Sequence, residues 1–306
     1  MSVSTPIAID FLVVGAQKAG TTSVHDWLAA HPAIALPVHK ETRFFADPDR
    51  FAKGAGWYRE QFPKAIEGKA VGEVDPEYLY RPQAAANIGA TSDAHRFIVL
   101  LRHPLKRALS QYLMSRRRGY ETHDFREALT LEGSRLHDDP DGFAADHLGY
   151  TARSRYAEQV KRFREQFPQA EFLFMRSDEL GEAGYRRICA FIGVEPAPET
   201  VDFAARSNTA SEARSAFLRD AIHAPGGKSP LRRAIVRMFP RSLKRSVFLA
   251  LEKLNQSPLE DDPEAIMATA PRAVLDAMRD DLKGLEEITG LDLADWREDL
   301  ARRMAE

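Results

Sequence analysis

The sequence predicts an α/β fold, a central parallel sheet between helices with a helical portion at its C-terminal end. Three observations predict it. Phe11 to Val14 and Phe97 to Leu101 are continuous apolar runs, the pattern of strands covered on both faces rather than one. Each run is followed by a turn and a helical stretch, Thr21 to Ala30 after the first and Pro104 to Arg118 after the second. From Asn208 onward helices and loops follow with no convincing strand. With 306 residues, 44% hydrophobic and 29% charged, the chain can bury a sizeable core. It reads as a single domain over residues 1–306, with an α/β core at about 8–195 and a helical portion at about 205–306.

The first strand runs into a turn at Gly15, and the helix that follows starts at Thr21, so backbone N–H groups point at whatever lies above the turn. His31 and Pro32 end that helix, because a residue before proline avoids helical geometry, and Ala33 to Leu36 read as a short strand. Pro37 to Phe45 is dense in ionisable side chains and closes on two aromatics. Ala70 to Val74 is a strand leading into Asp75 and Pro76, and a helix follows from Pro82 to Ile88. Arg96 to Leu101 is the next strand, and Arg102 stands at its carboxyl end, where open α/β sheets place ligands.

Pro104 suits a first helical turn and Gly119 stops the helix, whose last residues Arg116, Arg117 and Arg118 offset its dipole. His123 to Leu131 reads as a short helix, and Gly133 to Gly149 as a mobile loop. Tyr150 to Phe167 has helical spacing at Tyr156, Val160, Phe163 and Phe167. Phe172 to Met175 is a strand and Tyr185 to Ile192 a helix. Beyond it, Pro225 to Lys228 and Ser257 to Pro263 read as flexible joints, Arg232 to Arg245 as a basic amphipathic stretch, and Ala273 to Ile288 and Trp296 to Met304 as amphipathic helices.

The turn at Gly15 is an anion cradle of a particular kind. The phosphate-binding pattern G-x-x-x-x-G-K-[ST] would align with Gly15, Gly20, Thr21 and Thr22, which puts threonine where the phosphate-clamping lysine belongs. A lysine is present inside the loop instead, at Lys18. The strand ending at Leu101 is followed by Arg102, not by the aspartate that would hold magnesium in a nucleotide hydrolase. The loop therefore suits an anionic leaving group handled without a metal, and a sulfuryl group fits. The net charge of -2 argues against a nucleic-acid binder, and the single cysteine, Cys189, excludes an internal disulfide and reads as a buried helix position. The nine histidines are scattered, with no metal-ligand cluster.

Gly15 to Ser23, Arg102 to Tyr112 and Leu285 to Trp296 together resemble the sulfotransferases that use 3'-phosphoadenosine 5'-phosphosulfate (PAPS), in the branch that sulfates carbohydrates of the heparan sulfate type. The resemblance implies the P-loop NTPase-like three-layer fold. It also implies that Lys18, Ala19, Gly20, Thr21, Thr22 and Ser23 hold the 5'-phosphosulfate, with Lys18 stabilising the leaving oxygen. Arg102 and Ser110 correspond to the pair that holds the 3'-phosphate, and the product would be 3'-phosphoadenosine 5'-phosphate (PAP). Glu41, in the Lys-Glu pair before Phe44 and Phe45, is the implied general base on the acceptor hydroxyl.

Where related enzymes have Glu-Lys-Thr-Pro this chain has Glu73, Val74, Asp75 and Pro76, so the lysine that would hold an acidic sugar is valine. Glu73 and Asp75 then either order the site or bind a more neutral or basic acceptor. Trp57 and Tyr58 are packing aromatics or line the acceptor cleft, and Tyr156 is either a core aromatic or close to the donor. The family's cofactor-closing loop has no clean copy, and Lys228 and Lys253 are its candidates. The Golgi enzymes carry a membrane anchor, whereas this sequence has neither a basic leader nor about 20 consecutive apolar residues, so a cytoplasmic enzyme is expected. The acceptor expected is a carbohydrate, small molecule or lipid headgroup. Two rival readings remain: a P-loop kinase or nucleotide hydrolase, which would need magnesium, and a nucleotide-binding protein without catalysis.

Overall fold

The computed structural model describes residues 7–64, 66–204 and 262–305, together with the strand backbone at 211–213 and 256–258. Lys228, Lys253, Pro225 to Lys228 and Arg232 to Arg245 lie outside the described residues. The chain forms two compact units, one of Met1–Pro104, Arg155–Ser207 and Ala277–Arg302, the other of Leu105–Ser154, Asn208–Asp276 and Arg303–Glu306.

The first unit contains a five-stranded sheet in the order β2-β3-β1-β4-β5. Its strands are β1 (Phe11–Gly15), β2 (Ile34–Ala35), β3 (Ala70–Val74), β4 (Arg96–Leu101) and β5 (Glu171–Arg176), all parallel. β1 is central and wholly buried, pairing Phe11 with Gly72 on one side and Leu12 with Phe97 on the other. The flanking helices are α1 (Thr21–Ala30), α2 (Pro48–Phe51), α3 (Gly54–Arg59), α4 (Glu77–Tyr80) and α5 (Pro82–Thr91). Trp27 of α1 meets Tyr185 edge-on, and Phe97 of β4 packs against Phe163 and Phe167, so aromatic contacts fasten helices to the sheet.

In the second unit α6 (Pro104–Arg118) spans the residues expected, but the next segment does not. α7 runs from Phe125 to Asp138, past the predicted end at Leu131, and α8 (Phe143–His147) occupies part of the predicted loop. Asp124 starts α7 by accepting from the Glu127 N–H at 2.8 Å, and the buried Glu132 keeps its middle docked by accepting from Thr151 and Ala152 N–H at 2.7 Å each. Gly133 costs about 1 kcal/mol in a helix, less than these contacts supply.

The same bonds explain why the next helix, α9 (Tyr156–Gln166), starts six residues after Tyr150. The buried Arg107 donates to the Tyr150 carbonyl and to Ser154 Oγ, which fixes 150–154 as a turn with a 3₁₀ segment at Ala152–Ser154. Beyond residue 208 there is, contrary to the sequence pattern, a strand pair: β6 (Ser211–Ala213) is antiparallel to β7 (Gln256–Pro258). Two three-residue strands carry too little alternation to be legible.

The last described helices are α10 (Glu182–Ile192), α11 (Pro263–Ala268), α12 (Arg272–Thr289) and α13 (Ala294–Ala305). Cys189 is buried in α10 as expected, and burial raises its thiol pKa. Asp281 of α12 caps α9, accepting from the Tyr156 N–H at 2.8 Å and the Ala157 N–H at 3.2 Å. Arg176 pairs with Asp295 at 2.6 Å and lies over the Trp296 ring at 5.0 Å, which seats α13. Among the described residues no helix is long and apolar enough to cross a membrane.

Two outcomes test this packing. A Cβ at Gly72 would lie 2.3 Å from the Phe11 ring, so Gly72→Ala should lower stability by about 1–3 kcal/mol, read as a lower urea midpoint. Burial pushes the Asp281 carboxyl up to about 6, with the two N–H donors opposing. The folded value exceeds the unfolded one, near about 4, so this group's contribution is full below that pH and lost as pH rises through about 6. Thermal melts of wild type should therefore fall more than those of Asp281→Asn between these limits.

Candidate active site

The site is built at the carboxyl end of β1. Gly15 must be glycine because a Cβ would come within 2.6 Å of Leu79, and Gly20 because it adopts φ 98° with a Cβ position 2.3 Å from Leu180. The loop between them is pinned by Ala16 N–H on the Leu100 carbonyl at 2.7 Å and Ala19 N–H on the Ala16 carbonyl at 3.1 Å. α1 begins after Gly20 with no side-chain cap, and the partial positive charge of a helix start lies at Thr21, Thr22 and Ser23.

Lys18 holds φ 70°, a conformation that a lysine adopts only when its surroundings impose it. Part of the imposition comes from Arg102, which donates from Nη1 to the Lys18 carbonyl at 3.1 Å. Arg102 is itself fixed, since the Tyr156 hydroxyl donates to its carbonyl at 2.9 Å. Burial lowers the Arg102 guanidinium from its ordinary value, with Tyr156 opposing. Tyr156 is wholly buried, so of its two readings the structure gives it a core position with a hydrogen bond into the site.

A second strained segment lies opposite. Glu41 and Arg43 have φ of 62° and 52°, on either side of a buried Thr42. Two carboxylates at the end of β3 hold this shape: Glu73 accepts the Thr42 N–H at 2.8 Å and Asp75 the Arg43 N–H at 2.6 Å. Glu73 also accepts from the Tyr58 and Tyr78 hydroxyls at 2.8 Å each. Burial raises the Glu73 pKa against these donors, and raises Asp75 well above the usual range, with the charges of Glu73, Glu41 and Glu77 adding to it. Glu77 in turn lies 3.6 Å from Arg43 and 3.8 Å from Arg81.

Of the two roles open for Glu73 and Asp75, these contacts support ordering the site, since both are wholly buried. Tyr58 belongs to the same scaffold, and Trp57 stacks on Phe44 with centroids 5.9 Å apart. Val74, in the place of the family lysine, is buried in the core.

Lys40 joins the two segments. Its Nζ donates to Thr22 Oγ1 at 2.9 Å and pairs with Glu41 Oε1 at 2.9 Å, and its side chain is 13% exposed. The Lys40 end of the pair is thus largely withdrawn from solvent, while the Glu41 side chain is 34% exposed. The structure thus places Lys18, Ala19, Gly20, Thr21, Thr22, Ser23, Glu41 and Arg102 in one unit, linking Lys18 to Arg102 and Thr22 to Glu41 through Lys40. Ser110 is half-buried on α6 and belongs to the other unit. The sequence carried no signal for the part taken by Lys40, Thr42 and Tyr78, because hydrogen bonds across 18 to 36 residues leave no periodicity.

Comparison with known proteins shows the family and the fold. The family model described as the sulfotransferase domain matches residues 8–215. Heparan sulfate glucosamine 3-O-sulfotransferase 3A1 of Mus musculus is 30% identical over 190 residues, covering 60% of this chain and 45% of that protein. The 3B1 enzyme of Homo sapiens is 30% identical over 190 residues, covering 60% of this chain and 46% of its own length. The chain thus spans about half the length of these curated relatives. The crystal structure of a sulfotransferase from Alicyclobacillus acidocaldarius superposes with a TM-score of 0.64 at 24% identity, covering 96% of this chain and 100% of that one, and shows the same fold.

Proposed function

The chain belongs to the sulfotransferase domain family, and on that premise we propose that it transfers a sulfuryl group from PAPS to a hydroxyl or amine of a carbohydrate, small-molecule or lipid acceptor. The observation that carries the reading is the uncapped start of α1 beside Lys18, with the Lys18 carbonyl held by Arg102 at 3.1 Å. The donor chemistry fits these residues. An N-terminal helical turn with hydroxyls at 21, 22 and 23 suits a phosphosulfate.

PAPS supplies an activated sulfuryl group on a phosphate leaving group. In this reading the α1 amides with Thr21, Thr22 and Ser23 hold the 5'-phosphosulfate, and Lys18 stabilises the negative charge that develops on the leaving oxygen. Arg102 and Ser110 take the 3'-phosphate; Ser110's share rests on the sequence pattern. Glu41 accepts the acceptor proton, and its backbone, fixed by the neighbouring contacts to Glu73 and Asp75, keeps it oriented. Glu73 has no access to an acceptor, being wholly buried, so it is not an alternative base. The valine at 74 supports an acceptor other than a highly acidic sugar.

Thermal shift tests the donor class directly: PAP should raise the melting temperature more than ATP, GTP or AMP at equal concentration. A larger shift with ATP in the presence of magnesium would favour the kinase or hydrolase reading. Lys18→Ala should lower kcat by about 10²–10³ with PAPS as donor, and Arg102→Ala should chiefly weaken PAP binding in calorimetry. Near-normal turnover of the first, or unchanged affinity of the second, would remove that residue from its role.

A further inference from the structure

Among the described residues, the Lys40 side chain touches both the first turn of α1 and Glu41. Its ammonium lies 2.9 Å from Thr22 Oγ1, in the first turn of α1, and 2.9 Å from Glu41 Oε1. An ammonium has three donors, and these contacts account for two. The side chain is largely withdrawn from solvent, so the attraction to Glu41 is screened less than that of a surface pair. Glu41 has few other means of keeping its aim: it sits in the left-handed region, and the carboxylates of β3 hold its neighbours Thr42 and Arg43, not Glu41 itself. Backbone contacts fix where the Glu41 side chain starts, and Lys40 fixes where it ends.

We propose that Lys40 is a positioning residue that ties the Glu41 carboxylate to the donor-binding turn of α1, so that base and donor are held in register before the acceptor arrives. The inference rests on the reading of Glu41 as the general base. It assigns Lys40 no contact with the reacting atoms. Lys18 and Lys40 therefore have separate duties, the first toward the leaving oxygen and the second toward the base. The chemistry explains why a lysine serves at 40. A neutral side chain could hydrogen-bond Thr22, but it would not also draw the Glu41 carboxylate toward that turn by opposite charge.

The test is a double-mutant cycle with PAPS as donor. Lys40→Met keeps most of the side-chain volume and removes the charge, and it should lower kcat by about tenfold to a hundredfold, with PAP affinity in calorimetry changed by less than about threefold. In a Glu41→Gln background the same substitution should cost less than about twofold more, because the group it positions is already disabled. Lys40→Arg, which keeps the charge, should recover part of the loss. An equal loss in both backgrounds would show that Lys40 acts independently of Glu41, and a Lys40→Met enzyme with normal kcat would show that it does not position the base. Either result overturns the inference. The PAP arm on wild type separates this from the wider reading: a wild-type chain that fails to bind PAP overturns the donor assignment, and Lys40's role with it.

Discussion

The site depends on what it costs to bury two carboxyl groups at the end of β3. Glu73 and Asp75 are wholly buried, and an unpaired carboxylate there would be destabilising by several kcal/mol. Each is satisfied by a backbone N–H of the facing segment, Thr42 and Arg43, and Glu73 also by the Tyr58 and Tyr78 hydroxyls. That demand is what forces the 41–43 segment into an alternating backbone with two non-glycine residues at positive φ. Strain of this kind, of order 1–3 kcal/mol per residue, persists only where surrounding contacts over-determine it. Here they do, and the result is a polar side chain aimed from a rigid base.

The opposite wall is organised by the same logic with other groups. The sheet delivers Gly15 and Arg102 to the carboxyl ends of the neighbouring parallel strands β1 and β4. Arg102 closes the Lys18 turn through its carbonyl, while Tyr156 at the start of α9 holds Arg102 and Asp281 of α12 caps α9. A helix near the end of the chain is thereby connected to the glycine turn near its beginning through hydrogen bonds of 2.8, 2.9 and 3.1 Å.

The sheet and the turn were legible in the sequence because both rest on local signals. Continuous apolar runs mark β1 and β4, and Gly15, Lys18 and Gly20 lie within six residues of each other. The Glu41 segment was legible only through its likeness to known sulfotransferases, since a Lys-Glu pair by itself is most often a surface pair. What was not legible depended on distant partners. Gly133 and Asp138 to Gly142 looked like loop, yet Glu132 and the Asp124 cap hold α7 through the first of them. The stretch read as helical began at Tyr150, but Arg107 claims the Tyr150 carbonyl for a turn. The Lys40–Glu41 pair was visible as neighbours in the sequence, but the contact of Lys40 with Thr22, 18 residues away, was not.

The central claim is that the turn after β1 and the start of α1 receive the phosphate end of a sulfonated nucleotide between Lys18 and Arg102. A crystal structure of the chain grown with PAP measures it most directly. The account predicts the 5'-phosphate at the first-turn N–H groups of Thr21 to Ser23 with Lys18 Nζ beside it, and the 3'-phosphate on the Arg102 guanidinium. Density for PAP elsewhere, or a 3'-phosphate that leaves Arg102 untouched, would contradict it.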